Sequence, residues 1–481
     1  MPISPLFICA TITQARHYRF DAAGNDLLLP IYLATASLVP LAAQPEKVPY
    51  GGTWWSQGGY APDVFLAHCT MLREKGYSAC IMSDAEYAVF SAAGPLLRAG
   101  LDVVVMPDPV GVIAFLAQVW RIQSAVPIVA IAGSVGKTLI ISMLETLFSR
   151  DGMSAFTHTT PAYSLVDIQL GILQINEKNA LALFEMPVCS AEEMQECMQH
   201  LQPTIALVTN VCCAWQQASH NSTLLATTKQ QVFSAFSPSQ IGIICGDCPP
   251  LARRTYGHPV VRYGLKKNNM VTATQVVHAY DAQQLPVTRM LLCIQDQAHE
   301  IVLPTHHKGV LYAALGAAAV AYFLYMPTEV IARGFAHCQL KRTTLFHGAL
   351  QGGRGFFVAD VHGISPESVK ASLQALHAAP QMRRKIAVIG EMPALGVHDS
   401  IWHRLVGCEL AHAKSIHDVV LVGEKTKIIT TVAPHTMNVW PVQSWQEAQE
   451  TVLSLLAADG NVVLMSGAEP EALNALIKAI A

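Results

Sequence analysis

The chain has 481 residues, 52% hydrophobic and 14% charged, with 31 basic against 34 acidic side chains and a formal net charge of -3. That length exceeds one ordinary core and, at roughly 100–200 residues each, points to three domains, with four as the alternative. The composition excludes a disordered chain, and a balance without long runs of either sign gives no footprint for nucleic acid or an anionic membrane.

In chain order, "MPISPLFICATITQARHYR" lacks the basic start and small-residue cleavage site of a secretory signal, so none is expected. The apolar stretch "DLLLPIYLATASLVPLAA" (26–43) contains prolines, and "LYAALGAAAVAYFLYM" (311–326) is shorter than the ~18–20 residues of a membrane span; both read as buried core. "VPYGGTWWSQGG" (48–59) reads as a loop, while "PDVFLAHCTMLREKGYSACIM" and "GLDVVVMPDP" suggest a small α/β unit. "RIQSAVP" (121–127) reads as a linker.

From 127 onward short apolar runs alternate with helical patterns: "IVAIAG" precedes a loop and "TLIISMLETLFSR", with apolar residues at helical spacing, while "ALALFEM" (180–186), "TIALVTN" (204–210) and "IGIIC" (241–245) are each followed by a polar helical stretch. This is the pattern of a parallel sheet covered by helices. A second series comprises "GFFVAD" (355–360), "KIAVIGEM" (385–392), "HDVVLVG" (417–423) and "GNVVLMSG" (460–467), each ending in a turn where open α/β sheets place ligands. With a boundary near "CQLKRTT" (338–344), the expected domains are 1–124, 125–338 and 339–481. Twelve scattered cysteines fit a reduced, cytoplasmic setting. Cys245 and Cys248 read as small buried side chains rather than half of a zinc site, and the adjacent Cys212 and Cys213 cannot easily ligate one ion.

The chemistry-bearing stretch is "PIVAIAGSVGKTLIISMLETLF" (127–148), an apolar strand, a glycine turn and a helix. Backbone N–H groups of such a turn and the positive end of the helix form an anion site. Gly133, Ser134, Val135 and Gly136 would cradle phosphate, Lys137 would reach its terminal groups and the Thr138 hydroxyl would hold magnesium. Ile131 stands where the longer GxxxxGKT loop has its first glycine. The competing reading is a chance glycine turn.

Three further segments narrow the choice. "ALFEMPVCSAEEM" puts Glu185 at a strand end, and "ALVTNVCCAWQQASHNSTLLATTKQQVF" puts Thr209-Asn210 at another, with Lys229 nineteen residues after Asn210. With "GSVGKT", these resemble the central domain of the Mur ligases, the ATP-dependent amide-forming enzymes of peptidoglycan precursor synthesis. "FFVADVHGISPESVKASLQAL" and "RRKIAVIGEMPALGVHDSIWHRLVG" resemble the MurF branch, which adds D-alanyl-D-alanine to UDP-N-acetylmuramoyl-tripeptide. The matches are Asp360, Pro366 and Ser368 in the first segment, and Gly390, Met392, Leu395, Gly396 and His403 in the second.

The resemblance implies three α/β domains: an N-terminal domain for a UDP-sugar, a central parallel-sheet domain with the phosphate loop, and a Rossmann-like C-terminal domain. It implies ATP and Mg2+ as cofactors, and small-molecule partners only, a carboxylate and an amine, with UDP-muramoyl-peptide and a dipeptide as the candidate pair. Thr138 and Glu185 would hold the metal, Lys229 would become a carbamate and a further oxygen ligand, and Asp360 would contact the nucleotide. Without the resemblance, Glu185 is an ordinary strand-end carboxylate, Lys229 a solvated helix lysine, and Asp360 and His403 surface or capping residues. His306 and His307, being adjacent, read as loop residues rather than a metal pair.

Several family positions differ: Trp215 replaces a metal-binding histidine, Ala359 the first of two aspartates, and His362, Gly363, Ile364 and Ser365 a Tyr-Asn-Ala-Asn run. Gly309-Val310 replaces His-Asn, Thr344 an arginine (with Arg342 nearby), and "SGAE" (466–469) a Lys-Gly-Ser-Arg type turn. Two functions therefore compete: an active ligase working through an acyl phosphate, or a catalytically impaired relative that binds nucleotide or a partner. A simple ATPase or GTPase switch is weaker, because the chain lacks the guanine-binding Asn/Thr-Lys-x-Asp run.

Overall fold

The computed structural model describes residues 16–20, 26–28, 38–40, 52–55, 77–92, 102–106, 108–159, 164–186, 190–211, 222–282, 285–336, 345–351, 355–360, 365–379, 384–392, 395, 399–456, 461–466 and 470–481. The family positions Trp215, Arg342, Thr344, His362, Gly363, Ile364 and Gly396, the turn residues 467–469, Cys212, Cys213 and the boundary segment 338–344 lie outside the described residues. The chain forms two compact units, 1–129 with 154–204, and 130–153 with 205–481.

The first unit opens with a six-stranded sheet of β1 (Arg16–Phe20), β2 (Asp26–Leu28), β3 (Leu38–Pro40), β4 (Gly52–Trp55), β5 (Tyr77–Ser83) and β6 (Asp102–Met106), in the order β2-β1-β6-β5-β4-β3. The stretch at 48–59 is therefore not wholly a loop. Its Gly-Thr-Trp-Trp core is β4, paired in parallel with β5, as its aromatic and β-branched residues favour. Helix α1 (Asp84–Ala92) follows β5, and α2 (Pro109–Gln123) follows β6.

Asp108 starts α2 by accepting from the Gly111 N–H at 2.9 Å, with proline at the first helical position. The linker reading of 121–127 shortens accordingly: the first three residues finish α2. Its last turn is tied down by Trp120, whose indole donates to the Ile175 carbonyl at 2.9 Å, and by Arg121, which donates to the Leu201 carbonyl at 2.9 Å. Those carbonyls belong to the ends of α4 (Leu165–Gln174) and α5 (Ala191–Leu201). The strands β8 (Ala155–His158) and β9 (Leu181–Glu185) pair in parallel in this unit, and the Ala182 N–H extends the ladder to the Pro127 carbonyl at 2.9 Å.

Strand β7 (Ile128–Ala132) is buried at every position and runs into the second unit. Its two isoleucines and one valine each contribute about 1.5–3 kcal/mol on burial. Helix α3 (Lys137–Arg150) follows it. Within the second unit β7 is followed across the sheet by β10 (Ile205–Val208), β11 (Ile241–Cys245), β12 (Val260–Tyr263), β13 (Val271–Tyr280), β14 (Pro286–Ile294) and β15 (Gln297–Leu303). Helix α6 (Ser222–Gln230) precedes β11.

Two expectations need correction here. After β11 there is only the one-turn α7 (Pro249–Ala252) before β12, and the far end of the sheet is an antiparallel meander. The apolar segment at 311–326 lies mainly in α8 (Lys308–Phe323), buried along nearly its whole length and followed by α9 (Thr328–Phe335). Among the described residues no helix is long and apolar enough to cross a membrane.

The last sheet contains β16 (Leu345–Ala349), β17 (Gly355–Asp360), β18 (Arg384–Ile389), β19 (Asp418–Val422), β20 (Asn438–Val442) and β21 (Asn461–Ser466), ordered β16-β17-β21-β18-β19-β20. Only β16, at the edge, is antiparallel to its neighbour. Helices α10 (Pro366–His377), α11 (Asp399–His412), α12 (Trp445–Leu455) and α13 (Pro470–Ile480) complete this region. Ile386 and Val388 belong to one buried cluster, Ala387 and Ile389 to another. Burial on both faces explains the continuous apolar runs.

Candidate active site

The phosphate loop leaves the end of β7 at Gly133. Both of its glycines have positive φ, +133° at Gly133 and +86° at Gly136, the latter left-handed and opening α3. A Cβ at Gly133 would stand 1.9 Å from the Thr209 hydroxyl oxygen, so only glycine fits there. At Gly136 nothing lies within 4 Å of the equivalent point, leaving open space before the first turn of α3. Such a turn gathers N–H donors and the positive helix end on one spot. Lys137 folds back over the loop and donates to the Gly133 carbonyl at 3.2 Å.

The end of β10 braces this loop from the side. The Asn210 amide accepts from the Val135 N–H at 3.1 Å and donates to the Val135 carbonyl at 3.0 Å. The Thr209 hydroxyl donates to the same carbonyl at 2.7 Å, and the Ser134 N–H reaches the Asn210 carbonyl at 3.2 Å.

Lys229 sits in the last turn of α6 and is 2% exposed, which removes the solvated-lysine reading. Glu185 ends β9 in the first unit and is 5% exposed. Asp360 ends β17 as a buried carboxylate, not a surface one; it accepts from the hydroxyls of Ser368 at 2.6 Å and Ser372 at 3.1 Å. Ser365 caps α10 by accepting from the Ser368 N–H at 3.1 Å, with Pro366 at the first helical position. His403 is fully buried rather than on the surface: its Nδ1–H donates to the Asp399 carbonyl at 2.8 Å and its Nε2 accepts from the Met392 N–H at 3.2 Å. It fixes the Gly390–Met392 turn to α11 in a neutral form, and burial pushes its pKa down.

The Mur ligase middle domain model matches residues 131–321, and the Mur ligase glutamate ligase domain model matches 342–469. The chain belongs to the Mur ligase family. It is similar to the UDP-N-acetylmuramoyl-tripeptide--D-alanyl-D-alanine ligases of Treponema pallidum (strain Nichols), 26% identical over 72% of this chain and 73% of that one. The Escherichia coli (strain K12) ligase of the same name is 24% identical over 86% and 90%. In fold it is similar to MurF from Acinetobacter baumannii, with a TM-score of 0.76 at 17% identity over 99% of this chain and 98% of that one. The corresponding values for MurF from Thermotoga maritima, solved with ADP, are 0.71, 15%, 92% and 97%. The three-domain Mur ligase architecture expected from the sequence is thus the one found.

In this Mur ligase the adjacent histidines are loop residues, but buried ones. His306 donates from Nε2 to the Ala279 carbonyl at 2.8 Å, and His307 lies at the start of α8. Cys245 is buried and its thiol is pushed up to about 12 by desolvation; Cys248 is half-buried. Among the described residues no three His, Cys, Asp or Glu side chains cluster as a metal site. A cleft of about 360 Å³ opens in the second unit, where Leu265, His278, His306 and Lys308 face Ala371 and Gln374 of α10.

The bracing role of Thr209 and Asn210 was not legible. A strand-end threonine and asparagine signal a turn, and nothing in their spacing says which backbone they clasp. The second hydrogen bond to Asp360, from Ser372, was also missed, although Ser368 and Ser372 are spaced four apart on α10 and so share a face.

Proposed function

We propose that this Mur ligase joins a carboxylate to an amine at the expense of ATP, through an acyl phosphate, in peptidoglycan precursor synthesis. The observation that carries the reading is the preformed phosphate loop: Gly133 closed against Thr209, Gly136 open toward the first turn of α3, and Lys137 and Thr138 at its rim. The names of the curated relatives support UDP-N-acetylmuramoyl-tripeptide as the carboxylate and D-alanyl-D-alanine as the amine. The reading places the protein in the cytoplasm, the compartment that supplies ATP.

The donors fit magnesium. Thr138 and Glu185 offer the hard oxygens that magnesium prefers. In this reading Thr138, Glu185 and Lys229 as its carbamate would hold the ion, which would supply positive charge against the phosphates. The N–H groups that open α3, from Gly136 onward, and Lys137 hold the β- and γ-phosphates in line with the substrate carboxylate; Ser134 and Val135, expected from the sequence to cradle phosphate, have their N–H groups bound to Asn210 instead. A carboxylate oxygen attacks the γ-phosphorus and ADP leaves. The amine then attacks the carbonyl carbon, loses a proton, and phosphate departs with the oxygen that attacked. Residues 1–124 take the UDP-linked substrate, 125–338 the nucleotide, and 339–481 closes over it and excludes water.

An isotope experiment tests this route. With the substrate carboxylate labelled with 18O, released phosphate should carry one labelled oxygen per amide formed; unlabelled phosphate would contradict the acyl phosphate. A second reading, nucleotide binding without turnover, draws on Ala359. Its methyl group is fully buried in the hydrophobic core where the branch has a carboxylate.

A further inference from the structure

We propose that Thr209 and Asn210 are positioning residues that set the phosphate loop before nucleotide arrives. The inference rests on the nucleotide reading above and adds how the loop is shaped. One side-chain amide grasps Val135 at both its N–H and its carbonyl, and that carbonyl also accepts from Thr209. These two groups belong to successive peptide units, 134–135 and 135–136, and turning either unit over would break its hydrogen bond to Asn210, so the orientation of both is fixed. The Thr209 N–H donates to the Ala132 carbonyl at 2.9 Å and the Ser134 N–H to the Asn210 carbonyl at 3.2 Å, so the loop continues the β7–β10 pairing. Tyr263 in turn steadies Thr209, donating to its carbonyl at 3.4 Å.

Two consequences follow. The N–H groups of Ser134 and Val135 are committed to Asn210, so a phosphate chain is held from Gly136 onward by the N–H groups that open α3. The Thr209 hydroxyl also fills the space where a side chain at residue 133 would stand, which makes Gly133 and the clamp parts of one device. Ile131 lies in the sheet, where the longer GxxxxGKT loop has its first glycine. The rigidity of the present loop comes from the neighbouring strand end, and fixing it in advance removes the ordering cost of binding.

Calorimetric titration of magnesium-ATP and of magnesium-tripolyphosphate into the full chain tests the clamp. It is run on wild type, Asn210→Ala, Thr209→Val and Thr209→Ser, with thermal unfolding and hydrogen exchange of the 133–138 amides in parallel. Asn210→Ala and Thr209→Val should weaken both ligands by the same factor, about tenfold, and speed exchange in the loop. Thr209→Ser, which keeps the hydroxyl, should bind like wild type. If Asn210→Ala does not fold, the isosteric Thr209→Val carries the test. Unchanged affinities in folded variants would overturn the clamp and leave the nucleotide reading standing, as would a loss confined to ATP. A folded wild type that binds neither ligand would overturn the nucleotide reading and the clamp together.

Discussion

The Ser368 hydroxyl donates to the Asp360 carboxylate at 2.6 Å, joining the end of β17 to the first turn of α10. With Ser372 on the same oxygen, the buried Asp360 is held by two hydroxyls of α10. Ser372→Ala should cost about 1 kcal/mol in denaturant unfolding while leaving Asp360 hydrogen-bonded to Ser368. Asp360→Ala should cost more, about 1–3 kcal/mol, because it strands a buried hydroxyl. Equal small losses would show that the serines do not depend on this carboxylate.

His403 makes stability depend on pH. Burial lowers its pKa below the ordinary value, so near and below pH 6.5 the unfolded chain takes up the proton first. Its contribution is present above the unfolded pKa and is lost as pH falls from about 6.5 through the lower folded value. His158, His306 and His307 shift the same way for the same leading reason, burial, and add to the slope. Unfolding free energy should therefore fall between pH 7 and 5, and His403→Gln should flatten that fall. A wild-type curve that rises on acidification in this range would contradict the assignment.

Thiol labelling should separate the described cysteines by burial. Cys408 is exposed, whereas Cys245 is buried with its thiol raised to about 12, and the thiolate is the reactive form. A neutral-pH alkylating reagent should modify Cys408 in the native protein and reach Cys245 only on unfolding. Early modification of Cys245 would place it at a reactive site instead.

Lys229 carries the most demanding part of the metal proposal. A neutral amine adds carbon dioxide and releases a proton, giving an anionic carbamate with the oxygen donors magnesium prefers. Protein equilibrated with 13C-bicarbonate should show a carbamate carbon signal that Lys229→Ala lacks, and that variant should lose about hundredfold or more in turnover. A signal that survives the substitution would assign the carbamate to another residue.

The fold was legible where burial is simple. The runs at 128–132, 181–185, 205–208, 241–245 and 355–360 are buried on both faces, and continuous apolar sequence marks such strands. The meander escaped notice because its strands mix buried with exposed positions; Thr274 to Tyr280 contain none that is fully buried. A left-handed Gln275 and a register shift between Thr274 and Val277 also break its alternation. Strand β4 was hidden by the glycines around Trp54 and Trp55, which read as a turn. At the site, the turn from Gly133 to Gly136 was legible because an apolar run, two glycines and a helical pattern follow one another in the sequence. The partners that hold it depend on tertiary contact and were not.

The most direct measurement is mass-resolved product formation by the purified chain with magnesium-ATP, UDP-N-acetylmuramoyl-tripeptide and D-alanyl-D-alanine, beside Lys137→Ala. The expected result is the condensed product, with one ADP per amide, absent in Lys137→Ala although that variant remains folded. Wild type that binds ATP yet forms no amide from this pair would contradict the central claim and leave the chain a nucleotide-binding relative of the ligases.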